Sequence, residues 1–177
     1  MEQSAEMFYE DEEFGPRLLI SREADQTELE DNIRAARSIL RSFEEVEINI
    51  NPHRIEFKHR NPEYTINKML GDRKGIEGEQ GVTNAFQKAL KQNCEVIVLD
   101  LDHRLKRVKA FELSKYIVRR KENFRRGVIK RCYVVFGNRA IVLTSEHNTR
   151  ESIMEQIKQL EPQAKSCDSK GKDGQGA

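Results

Sequence analysis

The feature that most constrains this chain is the run Cys94-Glu-Val-Ile-Val-Leu-Asp-Leu101, nearly unbroken in apolar side chains and rich in β-branched residues. A short run without alternation marks a central strand buried on both faces. The residues before it supply a covering helix, because Val82, Ala85, Phe86, Ala89 and Leu90 recur at steps of three and four behind a loop punctuated by Gly78 and Gly81. Further upstream, residues 64–66 and 69–76 read as short strand segments joined by Asn67-Lys68, a pair suited to a tight turn. Residues 61–101 therefore predict a strand, turn, strand, helix, strand unit.

The flanking sequence completes an α/β domain. Leu29, Ile33, Ala36, Leu40 and Phe43 predict an amphipathic helix over 27–43, with Thr27 as N-cap and Glu30 as its capping-box partner. Residues 46–50 and 54–58 alternate as half-buried strands around Asn51-Pro52. A helix over about 110–124 carries Phe111, Leu113, Tyr116, Ile117 and Phe124 as its apolar stripe. Residues 129–136 and 140–144 form a hairpin around Gly137-Asn138, and a last amphipathic helix spans 149–160. The fold class predicted is one α/β domain over 25–161, a central mixed β-sheet flanked by helices. Residues 1–24 read as an acidic flexible arm with one short strand at 17–20, and 162–177 as a disordered tail too poor in apolar residues to order itself.

The formal net charge of +1 hides an uneven distribution. Residues 1–47 hold fourteen acidic and five basic side chains, whereas residues 102–131 hold twelve basic and three acidic. A local excess of positive charge suits a polyanion, since each Lys or Arg that meets a phosphate releases condensed counterions; a solvated charged helix has the same composition. Arg119, Arg120, Lys121, Arg125 and Arg126 are the candidates for phosphate contacts, with Tyr116 and Phe124 either stacking platforms or core. Cys94, Cys132 and Cys167 show no metal-binding or C-x-x-C spacing and read as reduced thiols. No apolar run approaches the length of a signal sequence or membrane span, so a cytoplasmic address is the default. An effector delivered into a target-cell cytoplasm reads the same way.

The stretch Asn61-Pro-Glu-Tyr-Thr-Ile-Asn-Lys-Met-Leu-Gly-Asp-Arg-Lys-Gly75 carries the chemistry. It sets Glu63 at the head of one strand and Asp72 on the next, with Lys74 on the same face as Asp72 and Arg73 on the other. Two carboxylates suit a hard divalent cation, Mg²⁺ or Mn²⁺, that keeps several waters, while a lysine orients water or offsets charge on a phosphate. Acid-x-Lys occurs three times, at Glu56, Asp72 and Asp168, but only Asp72 has Pro62-Glu63 one hairpin upstream and a helix and buried strand downstream. The competing reading is a surface salt bridge between Asp72 and Lys74.

On these landmarks the chain resembles the C-terminal toxin nuclease domain of contact-dependent growth-inhibition proteins, a PD-(D/E)XK-like domain also carried by phages and mobile elements. They are Glu30-Asp31-Asn32, Asn61-Pro62-Glu63-Tyr64, Asp72-Arg73-Lys74, Lys88-Ala89-Leu90-Lys91-Gln92 and the hairpin through Tyr133–Phe136 and Ile141–Leu143, spread over residues 28–145. The resemblance implies that Glu63 and Asp72 are metal ligands, Lys74 the catalytic lysine, Glu30 a helix-borne carboxylate near the metal, and Gln92 a polar group at the site edge. Two departures stand out: Glu63 replaces the usual Asp after proline, and Asp72 replaces the commoner Glu before x-Lys. The family is associated with cleavage of transfer RNA, some relatives cutting DNA, and a toxin implies a cognate immunity protein. Two alternatives remain. One is a metal-independent ribonuclease built on His59 or His103. The other is a non-catalytic nucleic-acid-binding or toxin-neutralising module.

Overall fold

A computed structural model describes residues 7–55, 61–102 and 110–161. Its elements are β1 (Phe8–Asp11), β2 (Gly15–Ser21), α1 (Leu29–Ser42), β3 (Ile48–Ile50), β4 (Tyr64–Ile66), β5 (Met69–Gly75), α2 (Glu79–Lys91), β6 (Val96–Asp100), α3 (Ala110–Val118), α4 (Lys121–Arg125), β7 (Arg131–Phe136), β8 (Arg139–Leu143) and α5 (Arg150–Lys158). The strands form one mixed sheet whose spatial order follows the chain. Pairs β2–β3, β5–β6 and β6–β7 are parallel and the others antiparallel. Each parallel pair needs a long crossover, which α1, α2 and the α3–α4 pair supply. The α/β architecture, a mixed sheet flanked by helices, is thus as the periodicities predict.

All five residues of β6 are buried, and their alternation divides the core in two. Val96 and Val98 face α1, packing with Leu18, Ile20, Ile48, Ile66, Ile39 and Leu40. Ile97 and Leu99 face α2, in a second core with Phe86, Leu113, Val134 and Ile157. The α1 helix touches strands at both ends of the sheet. Arg17 of β2 donates to the carbonyls of Leu40 and Phe43 at 3.1 and 2.7 Å, while the Ser38 hydroxyl donates to the Gly137 carbonyl at 2.8 Å. The backbone N–H of Ala140 in β8 donates to the Ser42 hydroxyl at 2.9 Å. The sheet therefore curls around α1, in keeping with the twist that chiral strands impose.

Several elements depart from the sequence-based expectation. Acidic composition predicts a flexible arm over 1–24, yet residues 8–21 supply two strands of the sheet. The reason is neutralisation from α1: the buried Asp11 accepts from Arg37 at 2.6 Å and from the backbone N–H groups of Glu13 and Phe14, and Glu13 pairs with Arg41 at 2.8 Å. The first helix starts at Leu29 with Glu28 in the N-cap position and no side-chain cap, because the Thr27 hydroxyl donates to Asp25 at 2.7 Å instead. The helix expected over 110–124 breaks at Arg119-Arg120 into α3 and α4. Arg54 and Ile55 lie outside any strand, with Ile55 94% exposed, and the rest of the strand expected at 54–58 falls outside the described residues, as does the tail at 162–177. No helix among the described residues is long and apolar enough to cross a membrane.

Candidate functional site

The β4–β5 hairpin positions the acidic pair. Asn67 and Lys68 both adopt positive φ, 46° and 67°, the combination that fits a two-residue turn to the right-handed twist of its strands. The turn fixes Tyr64 opposite Gly71, so Glu63, one residue outside β4, comes to lie across from Asp72. Asp72 pairs in register with Ile97 and Lys74 with Leu99, both on the face covered by α2. Arg73 points the other way. Its guanidinium, 8% exposed as a residue, donates to Asn32 at 2.7 Å and to Asp100 at 3.0 Å, and pairs with Glu28 at the start of α1. Its backbone N–H, meanwhile, donates to Glu63 Oε2 at 3.0 Å.

The carboxyl groups of Glu63 and Asp72 lie close enough to shift each other's titration. Lys88 of α2 caps them, its Nζ 3.3 Å from Glu63 Oε1 and 3.3 Å from Asp72 Oδ2. A single cation thus spans both side chains. Asp72 is 2% exposed, and its other oxygen, Oδ1, is buried with no hydrogen-bond partner. Burial, then the hydrogen bond and charge of Glu63, push the Asp72 carboxyl up to about 8 despite the nearby ammonium. Glu63 is held below the usual carboxylate range: burial raises it, but the Asp72 hydrogen bond, the Lys88 charge and the Arg73 N–H together outweigh that. The pair therefore retains one proton near neutrality.

Two converging carboxylates and an unpartnered buried oxygen fit a hard divalent cation. Oxygen-only donors match Mg²⁺ or Mn²⁺, and two carboxylates suffice where the ion keeps several waters. Among the described residues no group of three or more His, Cys, Asp or Glu is arranged to hold a metal, so the protein would supply two carboxylate ligands and water the rest.

The other predicted residues fall in several places. Lys74 is half-buried, and its ammonium makes no ion pair among the described residues, so the competing salt bridge to Asp72 is replaced by that of Lys88. Gln92 follows α2 and lines a cleft of about 470 Å³ with Glu28, Asn32, Asn61, Glu63 and Lys88; its buried Oε1 lacks a partner. Glu30 is exposed and lines a different hollow with Arg34, Arg37 and Arg41, while Asp25 and Glu28 border the cleft. Arg119 pairs with Glu79, Arg120 donates to Thr83 at 3.0 Å, and Arg125 pairs with Glu122 at 2.8 Å, leaving Lys121 and Arg126 exposed without ion pairs among the described residues. Phe124 is core, stacked edge-on against Phe86, and Tyr116 donates to Glu112 at 3.2 Å. His59, His103 and Cys167 lie outside the described residues; Cys94 and Cys132 are buried thiols.

Lys88, Arg73 and Glu28 are the residues that sequence reasoning did not assign to the site. The one available signal was the four-residue spacing of Lys88 and Gln92, which puts both on one flank of α2. No protein-family model, curated protein or solved structure matches the chain.

Proposed function

We propose that this chain is a metal-dependent endonuclease with a PD-(D/E)XK-like core. The observation that carries the reading is the pairing of half-buried Glu63 with buried Asp72 facing α2, with the unpartnered Asp72 Oδ1 beside it and Lys74 and Lys88 on the same face. Glu63 and Asp72 would hold Mg²⁺ or Mn²⁺, which when bound supplies an activated water and offsets charge on the phosphate. The remaining work belongs to the protein. The Arg73 N–H orients Glu63, the Arg73 guanidinium ties β5 to Asn32 of α1 and Asp100 of β6, and Lys74, without an ion pair among the described residues, would offer its ammonium to a phosphate oxygen. The exposed Lys121 and Arg126 supply phosphate contacts at longer range. A preference for RNA, transfer RNA in particular, a toxin-like or phage and mobile-element role, an immunity partner and a cytoplasmic site of action rest on the resemblance alone.

Incubation of the purified protein with total transfer RNA and with duplex DNA, in Mg²⁺ or Mn²⁺, tests the reading. Cleavage abolished by chelator and by Asp72→Asn is the expected result. Cleavage that persists in chelator removes the metal and favours a metal-independent ribonuclease. The Lys88 ammonium seated on both carboxylates favours a second reading, a non-catalytic nucleic-acid-binding module. Binding without cleavage in any metal, with Asp72→Ala changing only affinity, selects it.

A further inference from the structure

Glu63 and Asp72 already have a cation, and it belongs to the protein. Lys88 Nζ lies 3.3 Å from an oxygen of each carboxyl group. This contact occupies Oε1 of Glu63 and Oδ2 of Asp72, while Asp72 Oδ1 stays buried and unpartnered. An ammonium and a divalent ion cannot both sit against the same oxygens, since like charges at contact distance repel strongly in a partly buried site. The lysine has somewhere else to go. Its side chain is 43% exposed and borders the cleft lined by Lys91 and Gln92, and its four-carbon stem allows the ammonium to leave without moving α2. Lys74, by contrast, has no ion pair among the described residues to break and stays available on the same face.

We propose that Lys88 is a displaceable counter-cation: it holds the Glu63–Asp72 pair together in the metal-free protein and must vacate it for a divalent ion to enter. The inference rests on the metal reading above and adds a residue that sets the threshold of metal occupancy. A lysine that merely braced the two strands would have the opposite consequence, because its loss would let the carboxylates separate and weaken metal binding.

The test is direct titration of the chelator-stripped full chain with Mn²⁺ at one fixed pH, followed by calorimetry and by the electron paramagnetic resonance signal of free Mn²⁺. Lys88→Met keeps the apolar stem and removes the charge, and its Mn²⁺ Kd is expected to fall about ten-fold or more, since one competing cation is removed. Lys88→Arg keeps a cation and is expected to stay near the unsubstituted protein. If Lys88→Met does not fold, Lys88→Gln serves in its place, with circular dichroism as the check. Unchanged or weaker Mn²⁺ binding by the neutral variant, with measurable binding by the unsubstituted protein, overturns this inference alone. No Mn²⁺ binding by any of the proteins overturns it together with the metal reading.

Discussion

Replacing Asp72 with Asn should abolish a pH dependence of stability that the unsubstituted protein carries. Asp72 is 2% exposed, and its carboxyl is raised from 3.8 to about 8 in the folded chain. A carboxyl raised on folding contributes stability that is fully present below its unfolded value and is lost as pH climbs toward the folded one. Over that window the unfolded chain releases a proton that the folded chain keeps, so the folded state loses about 1.4 kcal/mol per pH unit. Between about pH 5 and pH 7 the loss amounts to about 3 kcal/mol. Glu63 has the opposite sign, but its lowered value acts at and below the ordinary glutamate range, under this window. In Asp72→Asn the amide is neutral in both states. The variant should therefore gain on the unsubstituted protein by about 3 kcal/mol between about pH 5 and pH 7.

Urea unfolding followed by far-ultraviolet circular dichroism, in chelator, measures the difference; the chain has no tryptophan to report by fluorescence. A variant-minus-parent difference that stays flat across the window means that Asp72 is already ionised in the folded protein, and the proton-sharing pair would be refuted. Adding Mg²⁺ supplies an internal control. An ion bound only to the folded state stabilises it by mass action, so the unsubstituted protein should rise in midpoint while Asp72→Asn does not.

Three other outcomes follow from the same geometry. Arg73→Met removes the buried guanidinium that donates to Asn32 and Asp100 and should cost about 1 to 3 kcal/mol in urea unfolding, since Asn32 Oδ1 loses its donor while Asp100 keeps its pair with Arg34 at 2.5 Å. Tyr64→Phe deletes the hydroxyl that donates to the Asn32 carbonyl at 2.7 Å in a fully buried site; a loss of about 1 kcal/mol is expected, read from the same curves, without loss of Mn²⁺ affinity. Lys68→Gly relieves the positive φ of 67° at an exposed turn position and should raise stability or leave it unchanged within about 1 kcal/mol, with cleavage unaffected.

What was legible in the sequence is what depends on neighbours along the chain. The period of two puts Asp72 and Lys74 on one face and Arg73 on the other, and the Asn67-Lys68 turn brings Glu63 across from Asp72, so the hairpin could be read from spacing alone. The buried run around Val96–Asp100 was equally plain. Glu30 illustrates where such reading stops. The N-cap falls at Glu28, one residue later than Thr27, and Glu28 and Glu30 stand two residues apart, a rotation of about 200° on a helix, which is the difference between Glu28 bordering the cleft and Glu30 lining another hollow. Fourteen acidic residues against five basic ones over 1–47 look like an arm that repels itself. The sum omits where the charges meet, and Arg37 and Arg41 meet Asp11 and Glu13 across 24 or more intervening residues.

Lys88 is the sharpest case of the same physics. Along the chain it is a polar residue on the flank of a helix, and nothing within several positions distinguishes it from Lys91. Its meaning comes from packing: the apolar face of α2, with Val82, Ala85, Phe86 and Ala89, settles on the sheet and carries Lys88 to the two carboxylates of the hairpin. The motif lysine, Lys74, is left without an ion pair among the described residues. Under the proposed function, two lysines on one face would divide the work that a local pattern would assign to one, Lys88 balancing the carboxylates and Lys74 meeting a phosphate. This division is also why the substitution of Lys88, rather than of Lys74, is the one expected to tighten metal binding.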